Sequence, residues 1–288
     1  MSQAAGEERR SGRTGYLLLT PAALWLTVFF IIPLVSLVST SLYDPSGTLE
    51  FGYQMTGHVQ NYVSVMEDYS DQFLRSMMYA GIATVSCILL GYPLAYAIAF
   101  KGGRWRNLML VAVIAPFFTS FLIRTLSWQL LLADQGWLVD MLQFLHVLGP
   151  EGRLLATPLA VVTGLTYNFL PFMVLPLYAS LEKIDPRLHE AGADLYASPF
   201  TTFRKVTLPL SMPGLVGGTL LTFIPAAGDY INSQLLGNTG TQMIGNVIQK
   251  LFDGGSYPEA AALSVTLMMV IVVLVMAYVK RAGTEELL

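Results

Sequence analysis

The 288-residue chain is short of charge: Asp, Glu, Lys and Arg make up only 12% of it, while 54% of its residues are hydrophobic. Soluble domains carry about 25% charged residues, so this composition excludes a surface that faces water on every side. The mean hydropathy is +0.56, and the apolar residues come in long blocks. Cysteine is nearly absent. Cys87 alone excludes an internal disulfide and any multi-cysteine metal site, and its apolar surroundings read as packing. Phosphate-binding and hydrolytic signatures are missing too. None of the lysines follows a glycine or precedes serine or threonine, so there is no G-x-x-x-x-G-K-[ST] loop to cradle a nucleotide. There is no HExxH and no GxSxG, and His58, His146 and His189 do not cluster; each reads as a surface or packing residue. Low-complexity stretches and short repeats are absent.

What is present is a series of apolar runs near the ~20 residues needed to cross a ~30 Å hydrocarbon layer as helix. They cover 16–42, 77–100, 108–132, 154–181, 213–236 and 260–279. The expected fold is therefore all-α: a polytopic membrane bundle of about six transmembrane helices spanning 16–288, preceded by a polar tail, 1–15, expected to be disordered in the cytosol. The first run is longer than a secretory leader's apolar core and lacks a small-residue cleavage site, so it reads as a span. Pro33, Pro93, Pro116, Pro171, Pro176 and Pro225 lie within runs. Such kinks survive in lipid only where neighbouring helices or cavity water satisfy the freed backbone groups.

The distribution of basic residues orients the bundle. With the N-terminus inside, the inside segments hold Arg9, Arg10, Arg13, Lys101, Arg104, Arg106, Lys183, Arg187, Arg204, Lys205, Lys280 and Arg281. Only Arg75, Arg153 and Lys250 fall outside, and Arg124 lies within a span. Both termini are thus expected in the cytoplasm of a cell (inner) membrane protein. Two outer segments show helical apolar spacing: Trp137, Leu138, Met141, Leu142 and Leu145, and Met243, Ile244, Val247, Ile248, Leu251 and Phe252.

The inside loop 182–212 is long for a connection within a bundle. Asp185-Pro186 and Ser198-Pro199 are helix-start signals, predicting one helix over 189–196 and a second over 200–206, ended by Pro209 and Pro213. Glu190, Asp194, Arg204 and Lys205 would face the cytosol beside Leu188, Leu195 and Phe203. That surface suits a soluble partner, or equally a solvated loop with none.

Within 213–236, Pro225, Ala226, Ala227 and Gly228 weaken the helix just before Asp229, Tyr230, Asn232, Ser233 and Gln234. An interrupted membrane helix followed by a carboxylate and amides suits a substrate or ion site. Asp229 would hold an ammonium group, and Tyr230, Trp128, Tyr167 and Phe169 would offer aromatic faces. Arg124, at a similar depth, would alternatively neutralise Asp229 as a structural pair.

The loop resembles the EAA loop of inner-membrane subunits of binding-protein-dependent ABC importers, whose pattern is E-A-A, three residues, G, nine residues, I-x-L-P. Glu190, Ala191, Leu208 and Pro209 match at that spacing; Gly192, Tyr196 and Val206 replace the second alanine, the glycine and the isoleucine. A tyrosine is not expected to take the left-handed turn that glycine permits. APFFTSFLIRTLSWQLLLADQGWL, GDYINSQLLGN and MIGNVIQ are similar to the spermidine/putrescine permease subunits of such importers. The resemblance implies a type I permease fold. It also implies that Glu190, Ala191, Gly192, Asp194, Leu195, Ser198, Arg204, Leu208 and Pro209 couple to a cytosolic ATPase dimer, which carries ATP and Mg while this subunit binds no cofactor. A second homologous permease subunit, an extracytoplasmic substrate-binding protein and a polyamine cargo complete the implied machine. Ferric ion, an anion or a sugar phosphate remains open as cargo; a membrane enzyme or a non-transporting scaffold is the rival of another class. No nucleic-acid partner is expected.

Overall fold

The computed structural model describes residues 19–48, 52–149 and 151–282. The expected tail, 1–15, lies outside them. The described residues are almost entirely helical, with isolated bridges only at Tyr43–Met55 and Thr48–Gly52. In chain order the helices are α1 (Leu19–Thr40), α2 (Gln60–Lys101), α3 (Gly103–Phe118), α4 (Phe121–Leu132), α5 (Trp137–Phe144) and α6 (Pro158–Leu181). Then follow α7 (Arg187–Asp194), α8 (Pro199–Leu210), α9 (Met212–Ala227), α10 (Ile231–Leu236), α11 (Ile244–Asp253) and α12 (Tyr257–Ala282). The helices α1, α2, α6 and α12 are each long and apolar enough to cross a membrane, and α3 with α4–α5, and α8 with α9, pass as bent pairs.

The residues form two units. One comprises the chain up to Asp68 with Leu251–Thr266; the other comprises Tyr69–Lys250 with the chain from Leu267. In the first, Asn61 is buried and its Nδ2 donates to the Ser41 and Tyr43 carbonyls at 2.9 and 2.8 Å, tying the end of α1 to the start of α2. The helix α2 leaves helical geometry at Tyr69 (φ −123, ψ 17), where the two units divide.

The second unit is organised on α6, which starts on a Thr157 cap (Oγ1 accepts from Ala160 N, 3.2 Å) followed by Pro158. Its buried residues include Val161, Leu165, Phe169, Met173, Leu177 and Leu181, the mark of a helix enclosed by others. The helix α9 approaches it at glycines: a Cβ on Gly214 would fall 2.4 Å from the Pro176 carbonyl, and one on Gly218 would fall 2.9 Å from Met173 Sδ. Small residues at such crossings replace the hydrophobic drive that lipid removes.

One expectation is sharpened and one corrected. The run 108–132, expected to be kinked at Pro116, is sharply bent: α3 and α4–α5 meet at 95°. Pro116 tightens the end of α3 into a 3-10 turn, and Thr119 then turns extended (φ −101, ψ 152). Pro209 and Pro213 do not end the loop's second helix. The helix α8 runs on to Leu210 because a π-turn over Phe203–Thr207 accommodates Pro209, and Pro213 sits in the first turn of α9, where its missing N–H costs nothing. The chain instead bends by 64° at Ser211.

Candidate functional site

The break expected just before Asp229 is present. The helix α9 carries Pro225 without ending; it stops at Gly228, and Asp229 and Tyr230 bridge to α10. Asp229 then caps α10: its Oδ1 accepts from Asn232 N at 2.8 Å and from Asn232 Nδ2 at 3.2 Å. The start of α11 holds the break from the other side. A Cβ on Gly245 would lie 2.5 Å from the Gly228 carbonyl, and Asn246 Nδ2 donates to the Tyr230 carbonyl at 2.9 Å. The Gly and Asn of MIGNVIQ thus let α11 approach the interrupted backbone and satisfy it. Beyond α10, Ser233 donates to the Thr241 carbonyl (3.0 Å), and Asn238 Nδ2 reaches the Ala156 carbonyl (2.5 Å).

Asp229 is 9% exposed, and so is Arg124 on α4. They form no ion pair among the described residues. Arg124 lies over the rings of Phe117 and Phe121, at 5.2 and 5.7 Å, and its Nε and Nη1 are buried without a hydrogen-bond partner. The neutralising pair considered from the sequence is therefore not formed in this conformation. The guanidinium rests on aromatic faces, and the carboxylate engages amides instead.

The four aromatic candidates divide. Trp128 and Tyr167 meet edge to face at 5.3 Å, and Tyr167 also lines a cavity of about 340 Å³ with Pro116, Leu170 and Pro171. Tyr230 is part exposed beside Asp229. Phe169 departs from the expectation: it is 6% exposed, its ring committed to a core with Leu165, Ala226 and Met243. Sequence reasoning missed Asn168 and Thr125. Asn168 Nδ2 bonds both Thr125 Oγ1 (3.2 Å) and Asn232 Oδ1 (3.0 Å). A lone amide in the apolar run 154–181 was the available signal.

The loop 182–212 folds as two helices whose inner sides grip the C-terminal end of α2. His189 stacks edge to face on Phe100 (4.9 Å) and bonds Thr207 Oγ1 (3.0 Å), while Phe203 meets Tyr92 at 5.5 Å. Tyr92 OH and Ser211 Oγ, 2.7 Å apart, share a hydrogen bond at the 64° bend. Gly192 lies against Thr202, where a Cβ would fall 2.9 Å from Oγ1. Leu208 is half-buried, and Ser198 caps α8. Glu190, Ala191, Asp194, Leu195, Arg204 and Pro209 are exposed. Tyr196 is fully exposed, and its backbone takes the left-handed conformation (φ 55). The expectation that tyrosine would not make that turn is corrected: Tyr196 takes it just past the end of α7, where a Schellman turn satisfies the last carbonyls, Ala197 N donating to the Gly192 carbonyl (3.0 Å) and Tyr196 N to that of Ala193 (2.9 Å). At the root of the loop, Glu182 pairs with Arg106. The Tyr178 hydroxyl first, and Arg106 second, hold its carboxyl below the usual range.

Residues 66–282 match the family described as "Binding-protein-dependent transport system inner membrane component". Among curated relatives, the spermidine/putrescine transport system permease protein PotB of Haemophilus influenzae is 36% identical over 88% of this chain and 89% of its own. PotB of Escherichia coli K12 is 37% identical over 88% and 92%. The inner membrane ABC transporter permease protein YdcU of E. coli K12 is 35% identical over 76% and 73%. A solved bacterial ABC transporter involved in import of the acidic polysaccharide alginate superposes with a TM-score of 0.70 over 99% of this chain and 100% of its own, at 17% identity. The inward-facing MetNI methionine ABC transporter gives 0.52 over 76% and 94%, also at 17%. At such identities the structural likeness speaks for the fold alone.

Proposed function

Because this chain belongs to the binding-protein-dependent transport system inner membrane components, we propose that it moves a polyamine into the cytoplasm by alternating access, through the break at Gly228–Tyr230. The observation that carries the reading is the Asp229 carboxylate, buried at an interrupted helix with no cation paired to it among the described residues. A carboxylate in a membrane interior is costly, roughly 2.5–3.5 kcal/mol on insertion scales, and an alkylammonium cargo would offset that cost. The relatives named for spermidine and putrescine support the cargo class.

The energy source sits on other chains in this reading. A cytosolic ATPase dimer docks on the exposed face of 182–212, where Glu190 and Asp194 flank Leu195, Tyr196 and Phe200. These apolar side chains are 81, 98 and 72% exposed, unusual for residues with no partner. Arg204 and Pro209 extend that face. Gly192, Ser198 and Leu208 shape it from within. ATP and Mg bind to the ATPase and none is held here. A second homologous permease subunit completes the pathway, an extracytoplasmic binding protein delivers cargo to the outer loops, and both termini lie in the cytoplasm.

A cargo bearing an anionic group is the second reading, favoured by the unpartnered Nε and Nη1 of Arg124. One experiment separates them: ATP-dependent uptake of labelled spermidine and putrescine by the full complex in proteoliposomes. Wild type is compared with Glu190→Ala, Asp229→Asn and Arg124→Gln. The polyamine reading expects uptake that falls with Asp229→Asn; no polyamine uptake from a complex that hydrolyses ATP would discard that cargo. Competition by an anionic solute that Arg124→Gln abolishes would support the second reading.

A further inference from the structure

A chain of buried polar groups crosses three helices of the second unit. Asn168 on α6 donates to Thr125 on α4 and to Asn232 on α10, and Asn232 donates twice to one oxygen of Asp229. Thr125, Asn168 and Asn232 are 0, 1 and 0% exposed. Gly164, one turn before Asn168 on the same face, makes room for the chain: a Cβ there would fall 2.7 Å from Asn232 Oδ1. An apolar residue at 168 would insert more favourably in lipid, so packing alone does not account for an amide. Its consequence is geometric. With Asn232 held by Asn168, both hydrogen bonds to Asp229 fall on Oδ1, and Oδ2 has none among the described residues.

We propose that Asn168 is a positioning residue: by locking Asn232 it fixes the Asp229 carboxylate with one oxygen engaged and the other open to an alkylammonium group. This rests on the reading of Asp229 as the cation site. Asn168 acts through Asp229 and does not itself hold the cargo.

The test is a double-mutant cycle on uptake kinetics in proteoliposomes holding the full complex, with spermidine as probe. Asn168→Leu, which keeps the branching of the side chain without its polar atoms and is favourable for insertion, is expected to raise KM about tenfold with a much smaller change in maximal rate. In an Asp229→Asn background the same substitution is expected to leave KM where Asp229→Asn alone puts it. Should Asn168→Leu not assemble, Asn168→Ser, too short to bridge Thr125 and Asn232, takes its place with the same expectation. Equal fold-changes in both backgrounds, or an unchanged KM for Asn168→Leu while Asp229→Asn raises it, would overturn the positioning role alone. A wild-type KM for Asp229→Asn would overturn the cation-site reading and this proposal with it.

Discussion

Tyr196 and Gly164 show how single positions are constrained by backbone and by neighbours. The left-handed backbone at Tyr196 costs about 1–2 kcal/mol for a residue with a Cβ. Glycine would remove that cost, while adding about 0.4–1 kcal/mol of unfolded-chain entropy. Because the ring also lies on the face proposed to dock the ATPase, Tyr196→Gly is expected to raise the thermal midpoint of the subunit without the ATPase slightly and to lower that of the full complex; a rise in both would remove Tyr196 from the docking face. Gly164→Ala goes the other way. Its Cβ would meet Leu236 Cδ1 at 2.4 Å and Asn232 Oδ1 at 2.7 Å. Overpacking of this kind costs roughly 1–3 kcal/mol, and displacement of Asn232 should also raise the cargo KM in the uptake assay. Residue identity made Asp229 and Asn232 legible as candidates, because charge and amides stand out in apolar runs. The partner of neither was legible. Arg124 was the nearest opposite charge by depth, yet it rests on Phe117 and Phe121.

Helices α8 and α9 form a lever bent at Ser211. The Tyr92–Ser211 hydrogen bond ties that bend to α2, and the glycine crossing ties α9 to α6. A push on α8 therefore reaches α6, which carries Asn168. Tyr92→Phe removes one buried hydrogen bond, worth about 0.5–1.5 kcal/mol. It is expected to increase the ATP hydrolysed per cargo moved while the complex still assembles; an unchanged ratio would remove Tyr92 from the coupling path. Arg106 and Glu182 pin the other end of the loop to α3. Glu182 has its pKa lowered in the fold, so the stabilisation from its ionised form is present above the ordinary glutamate pKa of about 4.3. It is lost as pH falls through the lowered value. Glu182→Gln should thus lower the thermal midpoint of the complex at pH 7 and have a shrinking effect as the pH is taken down below the ordinary glutamate value. Helix starts at Pro186 and Pro199 were readable, since cap chemistry is local. The ends at Pro209 and Pro213 were not, because a π-turn let the helix run through.

For the whole molecule, the basic residues on alternate connections predict the orientation. Cysteine labelling in intact cells tests it, and Cys87, fully buried, gives little background. A cysteine at Trp137 is expected to react with an impermeant maleimide from outside, and one at Leu195 only after permeabilisation; the reverse would invert the topology. The sequence by itself determined that the chain is helical and membrane-embedded, that residues 182–212 form a helical pair, and that the fifth run is interrupted near Asp229. Each follows from apolar run length, cap residues or helix breakers, properties a chain carries without knowing its neighbours. Only the tertiary structure decided that α3 and α4 meet at a sharp angle, that Phe169 is core, and that Asp229 answers to Asn232 and Asn168 instead of Arg124. Those outcomes depend on which helices lie side by side. In lipid that choice is made by close approach at glycines and by satisfied polar groups, which hydropathy along one strand of sequence does not record.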